Sequence, residues 1–526
     1  MRPPVWNPPI ELSASEQKIA QRIRKAKLFL FLRQVRHELF DLEFHQKLAK
    51  VFKDSSVGLC PVAPAQIALA IILQAYTGVS DDEAIEAMVM DRRWQLVLDC
   101  VDSEQAPFGK GTLVRFRAAL IACSGDRMLI EKTIEMAQMC QGYSSRTLRA
   151  ALDSSPLWGA ARVEDTYNLL GHALRKALNV IARDQKQELS TIASLAGADI
   201  VAGSSLKAAL DLDWDNPQQK VEALTTILQT LNTVESWVKE QTDIDAKVVN
   251  QAKQSIEDAR IIEAQDTEKE STGSPKLRKG VAPNRRISIE DKDMRHGRKS
   301  RNQRFNGYKR HVLKDLDLGM VRAVGVTCAN QPEAEVTQAI EIDLKNQKVK
   351  LKQLQIDRAY LTSHLVKERD SDLTIVCKSW RVQNGKLFDK TSFILDWENA
   401  KILCPNGISL PFMQGQVIHF PKSECNICPL HSQCTNSKNG RSVSIHADEL
   451  LLKELKERQN TAQGRAQLRE RVSVEHCLAK IGQWQGDEAR YIGLRKNLFD
   501  LRRIAVVHNL HVLAQMPLIN PIEISA

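Results

Sequence analysis

The chain has 526 residues, 43% of them hydrophobic, and 74 Lys and Arg against 64 Asp and Glu give a net charge of +10. That composition excludes a disordered chain, and no apolar run approaches the ~18–20 residues of a membrane-crossing helix. The opening Met-Arg-Pro-Pro-Val-Trp lacks the apolar stretch of a secretory signal, so a cytoplasmic protein of about two to four domains is expected.

Residues 1–145 read as a helical domain. Ser13 and Glu16 form a capping box, and Ile19, Ile23, Ala26, Phe29 and Leu30 follow at helical spacing. Gly78-Val79-Ser80 breaks the pattern, with Ser80 or Asp81 capping the next helix. A further helix begins at Thr112, with Arg115 and Arg117 expected on its exposed face. A compact bundle with basic faces fits DNA binding, and it fits packing or dimerisation nearly as well.

At 148–157 a short apolar stretch predicts a buried strand ending in the acid Asp153. About a hundred residues of helical periodicity follow. Asn216 caps and Pro217 opens one helix, whose apolar face is Val221, Leu224, Leu228, Leu231 and Val238. Residues 265–306 read as irregular, a linker or a DNA-contacting loop. Strands are predicted at 307–313 and 320–328, a helix at 332–346, a strand at 349–356 leading to Asp357, and a strand at 373–378. A small β-rich segment covers 382–445. Helical sequence runs from 448 to 480, interrupted near Gly464, and again from 495 to 515. The order is mixed α/β.

The basic excess is uneven. Thirteen Lys or Arg and three acids lie between Lys276 and Arg310. Arg298, Lys299, Arg301, Arg304, Lys309 and Arg310 are candidates for backbone-phosphate contacts, against the alternative of a solvated linker. A second basic cluster contains Arg490, Arg495, Lys496, Arg502 and Arg503.

Three acids stand out by position: Asp153, Asp357 and, on a helix, Glu475. Carboxylate oxygens suit hard divalent cations, and three that converge can hold two ions about 3.5–4 Å apart. Singly, each is as well read as a cap, a turn residue or a surface ion pair; Arg471 stands one turn before Glu475 for such a pair or for a DNA phosphate. His296, His311 and His476 are read as phosphate or core contacts rather than metal ligands.

Of eleven cysteines, Cys60, Cys100, Cys123, Cys140, Cys328, Cys377 and Cys477 are scattered and expected as reduced core residues. Cys404, Cys425, Cys428 and Cys434, spaced C-x20-C-x2-C-x5-C, are candidate ligands of a structural Zn²⁺, or else ordinary reduced cysteines of a small β segment.

The run Val474-Glu475-His476-Cys477-Leu478-Ala479-Lys480, with Gln483-Trp484-Gln485-Gly486 and the stretch from Ala489-Arg490-Tyr491-Ile492-Gly493-Leu494-Arg495-Lys496-Asn497 to Arg503, closely resembles DDE transposases of bacterial insertion sequences. So do Arg295-His296-Gly297-Arg298-Lys299-Ser300, Phe305-Asn306-Gly307-Tyr308-Lys309 and Asp357-Arg358-Ala359-Tyr360. The helical segment through Thr112-Leu113-Val114-Arg115-Phe116-Arg117 is similar to that family's N-terminal domain.

The resemblance implies a ribonuclease-H-like core with one acid on the first strand, one after the fourth and one on a later helix, roles that fall to Asp153, Asp357 and Glu475. These are 204 and 118 residues apart. The implied division is a DNA-binding domain at 1–145 and a core of 146–167, 300–381 and 446–515. A helical insertion with a basic linker (168–299) and a cysteine-containing insertion (382–445) interrupt that core. It further implies two Mg²⁺ or Mn²⁺ ions, cleavage by water and strand transfer by the freed 3′-hydroxyl. The partners would be the element's terminal repeats and target DNA, bound by a homo-oligomer associated with the nucleoid. Arg298, Lys299, Arg301, Arg304, Lys309, Arg471, Arg490, Arg495 and Lys496 would face DNA. In a related group Tyr and Lys flank the Glu on its helix; Leu468 and Gly482 stand there instead, so that group's DNA-end contacts are not carried over. The alternatives are a transposase-derived DNA-binding protein without catalysis and a plain metal-dependent nuclease.

Overall fold

The computed structural model describes residues 3–52, 60–140, 147–270, 273–380 and 382–516. Its centre is a six-stranded sheet: β1 (Thr147–Trp158), β2 (Arg295–Arg298), β3 (Arg304–Asp315), β4 (Val321–Cys328), β5 (Lys350–Gln355) and β6 (Thr374–Val376). β1 lies in the middle. It runs antiparallel to β3 on one side and parallel to β5 on the other, and β5 is parallel to β6. β3 pairs antiparallel with β2 over its first residues and with β4 from Tyr308 onward. The β3–β4 turn is closed by Asp315, whose Oδ1 accepts from the amides of Asp317 and Leu318 at 2.9 Å each. This mixed sheet is compatible with a ribonuclease-H-like core.

Side chains alternate along β1, and each face has its own core. Leu148, Ala150 and Leu152 join Leu313, Leu354, Ile356 and Tyr360 beneath the helix Thr337–Asn346. Ala151 on the other face joins a much larger core shared with the N-terminal helices and with helices Val472–Gln485 and Leu494–Leu513. The described N-terminal helices, from Lys27–Leu39 to Asp126–Cys140, therefore share an apolar core with the sheet. Asn509, fully buried on the C-terminal helix, stitches the two together. Its Oδ1 accepts from Val321 N at 2.7 Å, and its Nδ2 donates to Val321 O and to Thr133 Oγ1 at 3.0 Å each. Removing that amide would leave a buried strand N–H and C=O unpaired, at about 1–3 kcal/mol each.

The caps read from sequence are present: Ser13 and Ser80 close capping boxes, and Asn216 caps the helix that Pro217 opens. The helical insertion, including Thr166–Asp184, Pro217–Glu240 and Ala246–Asp266, has an apolar core of its own. The β-rich insertion contains a three-stranded and a two-stranded sheet around a small core of Phe393, Ile402, Phe412, Ile418, Phe420, Val443 and Ile445.

Four expectations change. Asp153 lies inside β1, which continues past it to Trp158, because β3 offers ladder partners as far as Gly307. Residues 265–306 are not a free linker. They hold β2 and a short hairpin, and Ile287, Ile289 and Met294 are buried. The helical stretch after 448 is interrupted near Gly464 as expected, at Thr461, whose Oγ1 accepts from Gly464 N at 2.9 Å and starts a new helix, but it breaks a second time at Arg471. Of the scattered cysteines only Cys377 and Cys477 are buried; Cys60 and Cys123 are exposed.

Candidate active site

Register brings the first two acids together. β1 and β5 pair in parallel through Ala151 and Gln355, so two residues further along each strand stand Asp153 and Asp357. Asp357 caps the 3-10 turn Arg358–Tyr360, its Oδ1 accepting from Arg358 N at 2.8 Å, and remains exposed. The turn is anchored by Arg358, which donates to Lys378 O at 3.0 Å and Ser379 O at 2.7 Å.

The third acid arrives on the helix Val472–Gln485, which packs on β1 and β3. Val474, Cys477, Leu478 and Ile481 bury one face of it, and this turns Glu475 outward at the sheet edge. Arg471 bridges two acids: one guanidinium nitrogen lies 2.9 Å from Asp153 Oδ2 and the other 2.9 Å from Glu475 Oε1. The Asp153 side chain is 16% exposed and Glu475 50%. The site is thus an open edge with one recessed carboxylate.

Burial pushes the Asp153 carboxyl above the usual range. Glu475 and Asp357 add to that push, while the Ser154 amide and Arg471 oppose it. Three negative groups act on one another here, with a single guanidinium between two of them. Among the described residues no three His, Cys, Asp or Glu side chains are drawn close enough to hold an ion. The donor set nevertheless fits a hard divalent cation, and Arg471 occupies the position between carboxylates that a cation would take.

Behind the edge lies a polar network that sequence reasoning did not single out. Ser154 Oγ donates to Glu333 Oε1 at 3.3 Å. Tyr360 Oη lies 2.9 Å from His311 Nδ1, and His311 Nε2 lies 3.0 Å from Thr327 Oγ1. Burial pushes His311 down to about 3, so the ring is neutral. Tyr360 stood in a motif already noted, but the rest of the network comes from distant segments and carries no local signal.

The basic candidates divide. Arg298, Lys299, Arg301 and Arg304 are exposed at the β2–β3 turn. A cleft of about 670 Å³ is lined by His296, Arg298, Arg304, Asn306 and Lys309 among others. Lys496 and His476 are exposed as well. Other cations have intramolecular partners. Lys309 donates to Gln331 O at 2.8 Å. Arg310 is buried and donates to Ser155 Oγ and Gly486 O at 2.8 Å each and to Gln485 Oε1 at 3.1 Å, so it is a structural group rather than the phosphate contact expected of it. Arg490 donates to Gly78 O and Val79 O, and Arg495 to Asp126 and Ile121 O, tying the C-terminal segment to the helical domain. Arg502 and Arg503 are buried. Arg117, expected to be exposed, pairs in bidentate fashion with Asp81. A second basic cleft, about 460 Å³ and lined by Lys18, Arg22, Arg24, Lys25, Arg92 and Arg93 among others, lies in the helical domain. The run Arg22-Ile23-Arg24-Lys25 was its legible signal.

One edge of the sheet thus presents Asp153 within β1, Asp357 just past the end of β5, and Glu475 on a covering helix. Residues 403–514 match the family model Transposase DDE domain, and residues 17–119 match the Transposase domain (DUF772). Both matches are to transposase families, and together they support a DDE transposase of an insertion sequence. No curated protein and no solved structure matches it. Among the described residues no helix is long and apolar enough to cross a membrane.

Proposed function

We propose that Asp153, Asp357 and Glu475 are the metal-holding acids of a ribonuclease-H-like transposase that cleaves element ends and joins them to target DNA. The observation that carries this reading is the shared guanidinium. Asp153 and Glu475, far apart in sequence, both hydrogen-bond Arg471, and Asp357 stands beside Asp153 by register. Bound Mg²⁺ or Mn²⁺, as a pair, would supply Lewis acidity for in-line attack on phosphorus by water and then by a 3′-hydroxyl. Asp153, recessed and least hydrated, would be the fixed ligand, while Glu475 can shift with its helix. Arg471 neutralises the pair in the absence of metal, and on cation binding it would turn toward a DNA phosphate. Arg298, Lys299, Arg301 and Arg304 would track the backbone on the approach, joined by Lys309 and Lys496. Assembly as a homo-oligomer on DNA belongs to the same reading.

The test is incubation with the element's own ends, a target duplex and Mg²⁺, scoring nicks and joined products on one gel. Both products are expected, and Asp357→Asn should yield neither. Nicks without joining would leave a plain nuclease, and binding without either product a DNA-binding derivative.

A further inference from the structure

We propose that Cys404, Cys425, Cys428 and Cys434 form a structural zinc–tetrathiolate site that closes the β-rich insertion. This goes beyond the carboxylate site and does not depend on it. Three separate loops bring the four residues around one cavity of about 20 Å³, which Phe388, Phe393, Phe420, His431 and Arg441 help to line. That volume suits one small occupant, about one water or one ion.

Each loop is shaped to present sulfur. Cys404 begins a tight turn in which Gly407, at φ 85°, donates to Cys404 O at 2.9 Å, and Ile408 N lies 3.3 Å from Cys404 Sγ. An amide directed at a sulfur stabilises the thiolate form. Cys425 and Cys428 flank the end of the short helix Lys422–Asn426, with Cys428 N donating to Cys425 O at 3.3 Å. Cys434 ends the turn His431–Cys434. Gly440, at φ 86°, passes close by: a Cβ there would lie 3.4 Å from Cys425 Sγ and 2.6 Å from Phe420 O.

A second observation points the same way. His431 Nε2 and Arg441 Nε, both on residues lining the cavity, are buried with no hydrogen-bond partner. Buried donors are normally satisfied. Four thiolates around Zn²⁺ carry a net charge of about −2, and that supplies both the missing acceptors and a reason for a guanidinium beside four sulfurs. Among the described residues the four sulfurs are not drawn to ligand spacing. Binding at Zn–S distances of about 2.3 Å requires the side chains to turn toward the cavity, with four thiol protons released to solvent. The small apolar core of the insertion explains why a staple is needed.

The experiment uses the full chain, purified without metal-affinity resin from zinc-supplemented culture. Elemental analysis should find about one zinc per chain. Exchange with Co²⁺ should give the thiolate charge-transfer band and intense visible bands of tetrahedral cobalt. Cys425→Ser with Cys428→Ser should lose the metal, while Cys100→Ser with Cys328→Ser should keep it. Should the first pair fail to fold, Cys404→Ser in the cobalt protein must weaken the charge-transfer band. Wild-type protein with neither zinc nor the cobalt spectrum overturns the proposal, as does zinc retained in the Cys425/Cys428 variant or iron in its place. Because the readout is metal content, it stands or fails separately from DNA cleavage.

Discussion

The carboxylate edge gathers residues 204 and 118 positions apart, whereas the cysteine corner draws on the single stretch 404–434, and the two are assembled by different means. At the edge, β-ladder register does the placing: β1 and β5 run in parallel through Ala151 and Gln355, and β1 contributes to a core on each face. A one-residue slip would turn every side chain of β1 to the wrong core, so the position of Asp153 is enforced by the whole sheet. At the corner, turns do the placing, over a core of a few residues. The edge is preorganised and carries electrostatic cost, seen in the raised Asp153. The corner rests on turns and a small apolar core, and the proposed zinc would be its staple.

The widest gap between the two should appear when one oxygen is exchanged for nitrogen. Asp153→Asn keeps an acceptor for Arg471 and removes a buried charge that faces Glu475 and Asp357. Cleavage should fall by about a thousand-fold or more, on the scale of losing a preorganised charge-stabilising group. Thermal unfolding without metal should stay at the wild-type midpoint or rise. A fall in both would show that Asp153 is a structural ion-pair residue and would remove the contrast with the corner.

Arg310 tests the rigidity behind the edge. It joins β3 to the end of the glutamate helix through Ser155, Gln485 and Gly486. Arg310→Ala would leave buried acceptors unpaired and should cost about 3 kcal/mol in urea unfolding. The salt dependence of DNA binding should not change. If the slope falls instead, Arg310 reaches DNA and the edge is looser than its hydrogen bonds indicate.

Smaller in free energy is the effect of the exposed turn. Neutralising Arg298, Lys299, Arg301 and Arg304 together should lower the log–log salt slope of binding by roughly 0.9 for each phosphate that the protein no longer neutralises. Stability should be unaffected, because these side chains are exposed. An unchanged slope would place DNA elsewhere, with the cleft at Lys18, Arg22, Arg24 and Lys25 next in line.

Much of the edge was legible because its signals are local: apolar stretches that make strands, an acid beside each, and a long motif around Glu475. The strand extents were less so. Asp153 read as the acid ending a short apolar strand, yet Ser154, Ser155 and Pro156 continue the ladder opposite His311, Arg310 and Lys309 on β3. A ladder partner 155 residues away overrides local preference. The basic residues misled for the same reason. Charge is visible in sequence, but whether Arg310, Arg490 or Arg495 meets a phosphate or a carbonyl depends on distant segments. The cysteine corner was legible as spacing only; its cavity and unpartnered donors required coordinates.

The smallest effect belongs to the junction that fuses the helical face to the sheet. Asp343, on the helix Thr337–Asn346, is buried near Arg502 at 3.4 Å and Arg127 at 3.8 Å, with Glu131 and Asp126 close by. Burial raises its carboxyl from the usual 3.8 to about 6, against the pull of Arg502 and Arg127. The folded state therefore holds this proton more tightly than the unfolded chain does. The resulting contribution is fully present below about pH 4, declines as pH rises toward 6, and is level above that. Two units correspond to at most about 3 kcal/mol, and partial hydration and relaxation of the junction will leave less. Asp343→Asn should flatten urea-unfolding stability between pH 4 and 6 and gain on wild type above pH 6. A variant that instead loses stability at neutral pH would show that the ionised carboxylate is bound by Arg502 and Arg127 strongly enough to outweigh its burial, and the junction would then be held by charge rather than by packing.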